Sequence, residues 1–233
     1  MVQIIGGSPV YTVRIKFRKV GSLQYISHLD LVRTMSKIVV RTKLPLWYTE
    51  GFNPKPKMVF AAPLSIGTES LAEYMDLRIT ERLPEAEIME RFNANVTDEM
   101  SAIEVYYPER PMTDLKWMTY TLKIKTNGAD AALAERCAEV LAAPSLEVMK
   151  KTKKGDNLVN IRPLIKTSSV AFDSGIIQVC ATLSSDSSEY LNPEYLIKAL
   201  KERCGILSDE NLLNDGYSIL RERAFCVDMT EFR

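Results

Sequence analysis

A single imidazole serves the whole chain, at His28, inside a stretch crowded with residues that do special work. From Gly21 the chain reads G-S-L-Q-Y-I-S-H-L-D-L-V-R, then from Leu44 L-P-L-W-Y-T-E-G-F-N-P-K-P-K, then from Ala62 A-P-L-S-I-G-T-E-S. Histidine is the side chain poised to move a proton near neutral pH, and glycine, proline and asparagine fix loop geometry that other residues resist. Near a helix N-terminus the dipole favours neutral imidazole, which suits His28 to act as a general base. One chemistry open to it is metal-independent RNA cleavage, with His28 taking the 2′-hydroxyl proton and Lys16 or Lys57 steadying the charge on phosphorus. The proline-stiffened loop Glu50–Lys57 would display Phe52 for base stacking and Lys55 and Lys57 to phosphates, with Gly51 and Asn53 suited to positive φ. The sharpest geometric expectation is one cleft holding His28, Glu50, Asn53 and Lys55.

The elements that must position these groups follow from periodicity. Tyr11, Val13, Ile15 and Phe17 alternate with Thr12, Arg14, Lys16 and Arg18, the pattern of a half-buried strand with a cationic outer face. Ser27 or Ser22 caps a helix that runs on to Arg41. Strands are expected over Met58–Ala62, through Met75, Leu77 and Ile79, and over Ile103–Tyr107, with a helix opened by Pro84 between the last two. The same rhythm returns in strand Trp117–Lys125, helix Ala129–Leu141, a hairpin of Leu146–Lys151 and Leu158–Ile165 turning on K-K-G-D, strand Ile176–Leu183, a helix from Pro193 to Cys204 and Gly205, and a last strand Tyr217–Val227. The reading is α+β, two tandem ferredoxin-like β-α-β-β-α-β units with antiparallel sheets, covering residues 1–112 and 113–233.

Composition removes several classes. The longest apolar runs fall far short of the roughly 18 residues of a membrane helix, and no secretory leader is evident, so a cytoplasmic location and no membrane contact are expected. Cys137, Cys180, Cys204 and Cys226 lack the close spacing of zinc or iron–sulfur motifs, so neither a metal nor a cofactor is expected on this chain. The 30 basic and 30 acidic residues cancel, leaving only local clusters to argue for nucleic acid. One comprises Arg14, Lys16, Arg18 and Lys19, joined by Lys55 and Lys57; the other is Lys150, Lys151, Lys153 and Lys154. With Tyr74 and Arg78 on the expected neighbouring strand, the first gives an RNA-binding set of Arg14, Lys16, Arg18, Phe52, Asn53, Lys55, Lys57, Tyr74 and Arg78.

The segment F-R-K-V-G-S-L-Q-Y-I-S-H-L-D-L-V-R-T-M, with L-P-L-W-Y-T-E-G-F-N-P-K-P-K-M-V-F-A-A-P-L-S-I-G-T-E-S-L-A-E-Y-M-D-L, resembles the radical-SAM-linked protein family, a bacterial domain found free or fused behind a radical SAM and cobalamin-binding module. The resemblance is dense from Phe17 to Asp76. It implies a radical SAM partner, in trans or by fusion, and names no activity. Three readings follow: an accessory RNA-binding or substrate-presenting module, acting with that partner on ribosomal or transfer RNA; a protein–protein adaptor using Trp47, Tyr48, Phe52 and Met58; and the His28 endoribonuclease.

Overall fold

The structure is a computed structural model that describes residues 2–5, 8–152, 155–186, 188–209 and 214–233. It is a mixed α+β protein with a mostly antiparallel sheet, a separate two-stranded sheet and, among the described residues, four α-helices. The chain divides into two compact units, Met1–Asp114 with Glu231–Arg233, and Leu115–Thr230.

In the first unit the elements are β1 (Val2–Ile5), β2 (Ser8–Lys19), α1 (His28–Arg41), β3 (Met58–Phe60), β4 (Thr68–Ile79), α2 (Glu85–Asn93) and β5 (Ala102–Tyr106). β2 lies between β5 and β4, and β3 pairs with the outer side of β4, giving the order β5-β2-β4-β3. β1, which the alternation in the sequence does not announce, adds to the start of β2 with Val2 opposite Tyr11. β4 starts at Thr68, earlier than expected, and pairs Lys19 with Ser70 and Tyr11 with Ile79.

Period-2 alternation sends Val13, Ile15 and Phe17 to one face, where with Met75, Leu77 and Ile79 they meet Leu31, Met35, Ile38 and Val39 of α1 and Ile88 and Phe92 of α2. All of these are buried. α1 begins where Ser27 accepts the Asp30 amide at 3.1 Å, so an orphan donor of the first turn is satisfied. Pro84 caps α2 with its fixed φ, and Glu85 and Glu87 sit in the first turn where the dipole favours them.

The second unit contains β6 (Trp117–Lys125), α3 (Ala131–Ala142), β7 (Glu147–Thr152), β8 (Gly155–Asn160), β9 (Ile165–Asp173), β10 (Ile176–Ser184), α4 (Glu194–Cys204) and β11 (Gly216–Phe225). Its strand order is β11-β6-β10-β9. Here the fold departs from the sequence expectation. The hairpin of β7 and β8 is a separate two-stranded sheet, and the strand beside β10 is β9. That strand leaves most of its residues exposed, so it carries no clean alternation to reveal it. Lys153 and Lys154 of the expected turn lie outside the described residues. Gly205 ends α4 in the left-handed region at φ 73°, a conformation that costs glycine little. Cys137 is buried, and burial together with the neighbouring Cys204 thiol pushes its own thiol up to about 12.

Candidate functional site

The two ends of β4 separate the conspicuous segments. At its start, the Gly67 amide donates to the Gln24 carbonyl at 2.9 Å and the Gly21 amide donates to Glu69 Oε1 at 2.7 Å. The A-P-L-S-I-G-T-E-S segment therefore meets G-S-L-Q-Y-I-S-H. At the other end, the Trp47 amide donates to the Arg78 carbonyl at 2.9 Å, and the Arg78 amide donates to the Lys57 carbonyl at 3.1 Å. The E-G-F-N-P-K-P-K loop hangs there.

The His28 end is tightly built. Gly21 has φ +61° and opens a single 3-10 turn, Gly21–Tyr25. Glu99 accepts from both the Ser22 amide, at 3.0 Å, and the Ser22 hydroxyl, at 2.7 Å. Those bonds, the hydroxyl's first, hold the Glu99 carboxyl below its ordinary range. A Cβ on Gly21 would stand 2.0 Å from Glu99 Oε1. Gly21→Ala is expected to lose about 1–3 kcal/mol, through the strained φ and the carboxylate displaced from Ser22. Urea unfolding compared with Glu99→Gln tests this. A Gly21→Ala protein as stable as the parent would show that the turn tolerates the methyl group.

His28 itself packs its ring edge-on against Phe60, centroids 5.7 Å apart, and among the described residues its side chain has no hydrogen-bond partner. Among the described residues no hydrogen bond or ring contact joins it to Glu50, Asn53 or Lys55. His28 is the first residue of α1, while the hairpin follows the last. The helix's 14 residues, at about 1.5 Å each, span about 20 Å, and the chain returns along β3, where Phe60 meets His28. Of the expected cations, Lys57 lies just before β3 with its carbonyl accepting from the Arg78 amide, and Lys16 is tied to Glu104 at 3.2 Å and Glu231 at 3.5 Å. Among the described residues no hydrogen bond joins His28 to either cation.

The cationic strand face is also unlike its sequence expectation. Arg14 is fully buried and grips Asp76 with two bonds, Nε to Oδ1 at 2.6 Å and Nη2 to Oδ2 at 2.9 Å, while Nη2 also donates to the Arg110 carbonyl at 3.1 Å. Phe232 lies over it, 4.5 Å from guanidinium carbon to ring centroid, and meets Tyr74 edge-on at 5.1 Å. Tyr74 and Lys19 are buried, and the Lys16 side chain is only 12% exposed. Arg233 reaches Glu104 at 3.6 Å and lies over the Tyr106 ring. Burial pushes the Tyr106 hydroxyl up to about 12, against the pull of Arg14. Arg18 alone of the outer-face cations remains exposed.

What remains open to a ligand is the hairpin. The Thr49 amide donates to the Lys55 carbonyl at 2.9 Å and the Lys57 amide to the Trp47 carbonyl at 3.1 Å, so Trp47–Thr49 and Lys55–Lys57 form its two arms. Gly51 takes φ 116°, while Asn53 does not enter the positive-φ region. At the tip Phe52 is completely exposed, at 106% of its reference area, and Tyr48 is 42% exposed. Lys55 and Asn53 are exposed, Lys57 is half-buried, and Arg78 lies over the Trp47 ring at 5.6 Å. Glu50 supplies the acid on the tip.

Residues 12–193 match a family described as an uncharacterized protein conserved in bacteria, DUF2344. The chain belongs to that family. No curated protein matches it. Among solved structures, this DUF2344 chain is similar to a chain in a structure titled as a crystal structure of a Cbf5-Nop10-Gar1 complex, with TM-score 0.50 and 10% identity. The likeness covers 91% of this chain and 48% of the other, so the chain spans about half the length of that relative. It is a likeness of fold. No helix among the described residues is long and apolar enough to cross a membrane, and no group of three or more His, Cys, Asp or Glu among them is placed to hold a metal ion.

Proposed function

We propose that the chain is an accessory RNA-binding, substrate-presenting module that takes hold of single-stranded ribosomal or transfer RNA with its Trp47–Lys57 hairpin, beside a radical SAM partner. The observation that carries this reading is Phe52. A phenylalanine held wholly in solvent on a proline-braced tip contributes nothing to a core, and a flat apolar ring offers a stacking surface for any base. Lys55, Lys57 and Arg78 at the base of the same hairpin supply the cations a strand needs. The partner rests on the sequence resemblance. The shared strand permutation, β5-β2-β4-β3 and β11-β6-β10-β9, supports reading both units as ferredoxin-like.

Fluorescence anisotropy with a single-stranded oligoribonucleotide tests the reading. Phe52→Ala is expected to lose about 1–3 kcal/mol of binding, roughly 5- to 150-fold in affinity. Lys55→Gln is expected to flatten the dependence of log affinity on log salt by about 0.7. No binding at low salt, or a Phe52→Ala protein with full affinity, refutes the RNA reading.

The protein-adaptor reading has one observation of its own at the opposite end. Tyr25, Leu29 and Ile66 are 68%, 57% and 60% exposed, on segments joined through Gly67 and Gln24. Co-purification of a protein that survives nuclease treatment, and its loss in Tyr25→Ser, would support that reading.

A further inference from the structure

The outer face of α1 carries Arg33, Lys37 and Arg41, all exposed. Four-residue spacing sets them in one row along the helix, about 6 Å apart. The only acid on the helix, Asp30, is occupied in the N-terminal cap, where it accepts the Ser27 hydroxyl at 2.6 Å. Its pair with Arg33, at 3.6 Å, joins two side chains 57% and 68% exposed, which leaves Arg33 available to another anion. Lys37 and Arg41 make no ion pair among the described residues. α2 is unlike it, exposing Glu85 and Glu90 and tying Arg91 to Glu87.

Like charges four apart work against a helix, so the spacing of the row as a whole does not serve α1's own stability, although Arg41 in the last turn and the Asp30–Arg33 pair favour it individually. Nor does it match the usual protein interface, since the exposed Leu29 and Val40 flank the row without forming an apolar centre. Such surfaces gather aromatics around an apolar centre and are depleted in lysine, whereas the middle of this row is Arg33, Thr34 and Lys37. A line of cations at regular rise complements a polyanion. The row also leads through Lys43 into the hairpin.

We propose that the outer face of α1 is a phosphate-binding track for the same RNA strand whose base the hairpin takes, with Arg33, Lys37 and Arg41 on successive backbone charges. This rests on the RNA reading above. The test is anisotropy with the same oligoribonucleotide across a salt series, on the full chain. In the triple variant Arg33→Gln, Lys37→Gln and Arg41→Gln, the salt slope should fall by about 2, at about 0.7 for each phosphate no longer neutralised. Glutamine keeps helix propensity, and circular dichroism confirms the helix. An unchanged slope, with Phe52→Ala still weakening binding, overturns the track alone and leaves the row to an acidic protein surface. Absence of RNA binding by the parent protein overturns both readings together.

Discussion

Asp76→Ala is expected to cost the first unit about 3–5 kcal/mol, the usual penalty for leaving one member of a buried ion pair without the other. Arg14 is fully buried and Asp76 has a side chain only 14% exposed. Removing the carboxylate leaves a guanidinium in the interior, with the Arg110 carbonyl still accepting from Nη2 but no anion beside it. Arginine stays charged at any ordinary pH, so it cannot escape the penalty by losing a proton. The two tryptophans, Trp47 and Trp117, fall in different units, and Trp47 emission in a Trp117→Phe background follows the first unit in urea. The midpoint should fall by about 1–5 M, given a denaturant slope of about 1–3 kcal/mol/M. The apolar double replacement Arg14→Met with Asp76→Leu should recover most of the loss. A loss below about 1 kcal/mol for Asp76→Ala would mean that water reaches Arg14 and that the strand face is open after all.

That strand face shows how far the sequence could be read. Alternation from Tyr11 to Arg18 correctly implies a strand with Val13, Ile15 and Phe17 inward, because the two faces of a strand separate by parity whatever covers them. Parity says nothing about what covers the second face. Arg14 and Lys16 look solvated when only local sequence is considered; the groups that bury them, Asp76, Glu104, Arg110 and Phe232, lie 62 or more residues away. The cleft expected around His28 rests on closeness in sequence in the same way. The special residues are close in sequence, but a helix of 14 residues stands between them, and spacing along the chain does not say which end of a sheet each loop reaches. The stiff loop at Glu50–Lys57 was legible, since proline and glycine fix backbone locally, whereas its pairing with Trp47–Thr49 into a hairpin was not. The cations of α1 carry the plain signature of a wet helix face; among the described residues, Lys37 and Arg41 have no acidic partner and Arg33 has only the exposed Asp30.

Phe232→Ala is expected to cost about 3–5 kcal/mol, as for a large aromatic removed from a core. The ring is 1% exposed and sits between the Arg14 guanidinium and the Tyr74 ring. Phe232→Leu, which keeps much of the volume and removes the ring's negative face, should cost about 1–3 kcal/mol, from imperfect packing and the missing cation–π attraction. The same Trp47 urea measurement reads both. If Phe232→Ala unfolds at the parent midpoint, Glu231–Arg233 is not packed on this sheet in solution, and the burial of Lys16 and Tyr74 goes with it. In the expected case, removing the ring still leaves Arg14 gripped by Asp76. Phe232→Ala should therefore not raise RNA affinity, which separates a strand face occupied by its own chain from the hairpin and helix surfaces that remain open.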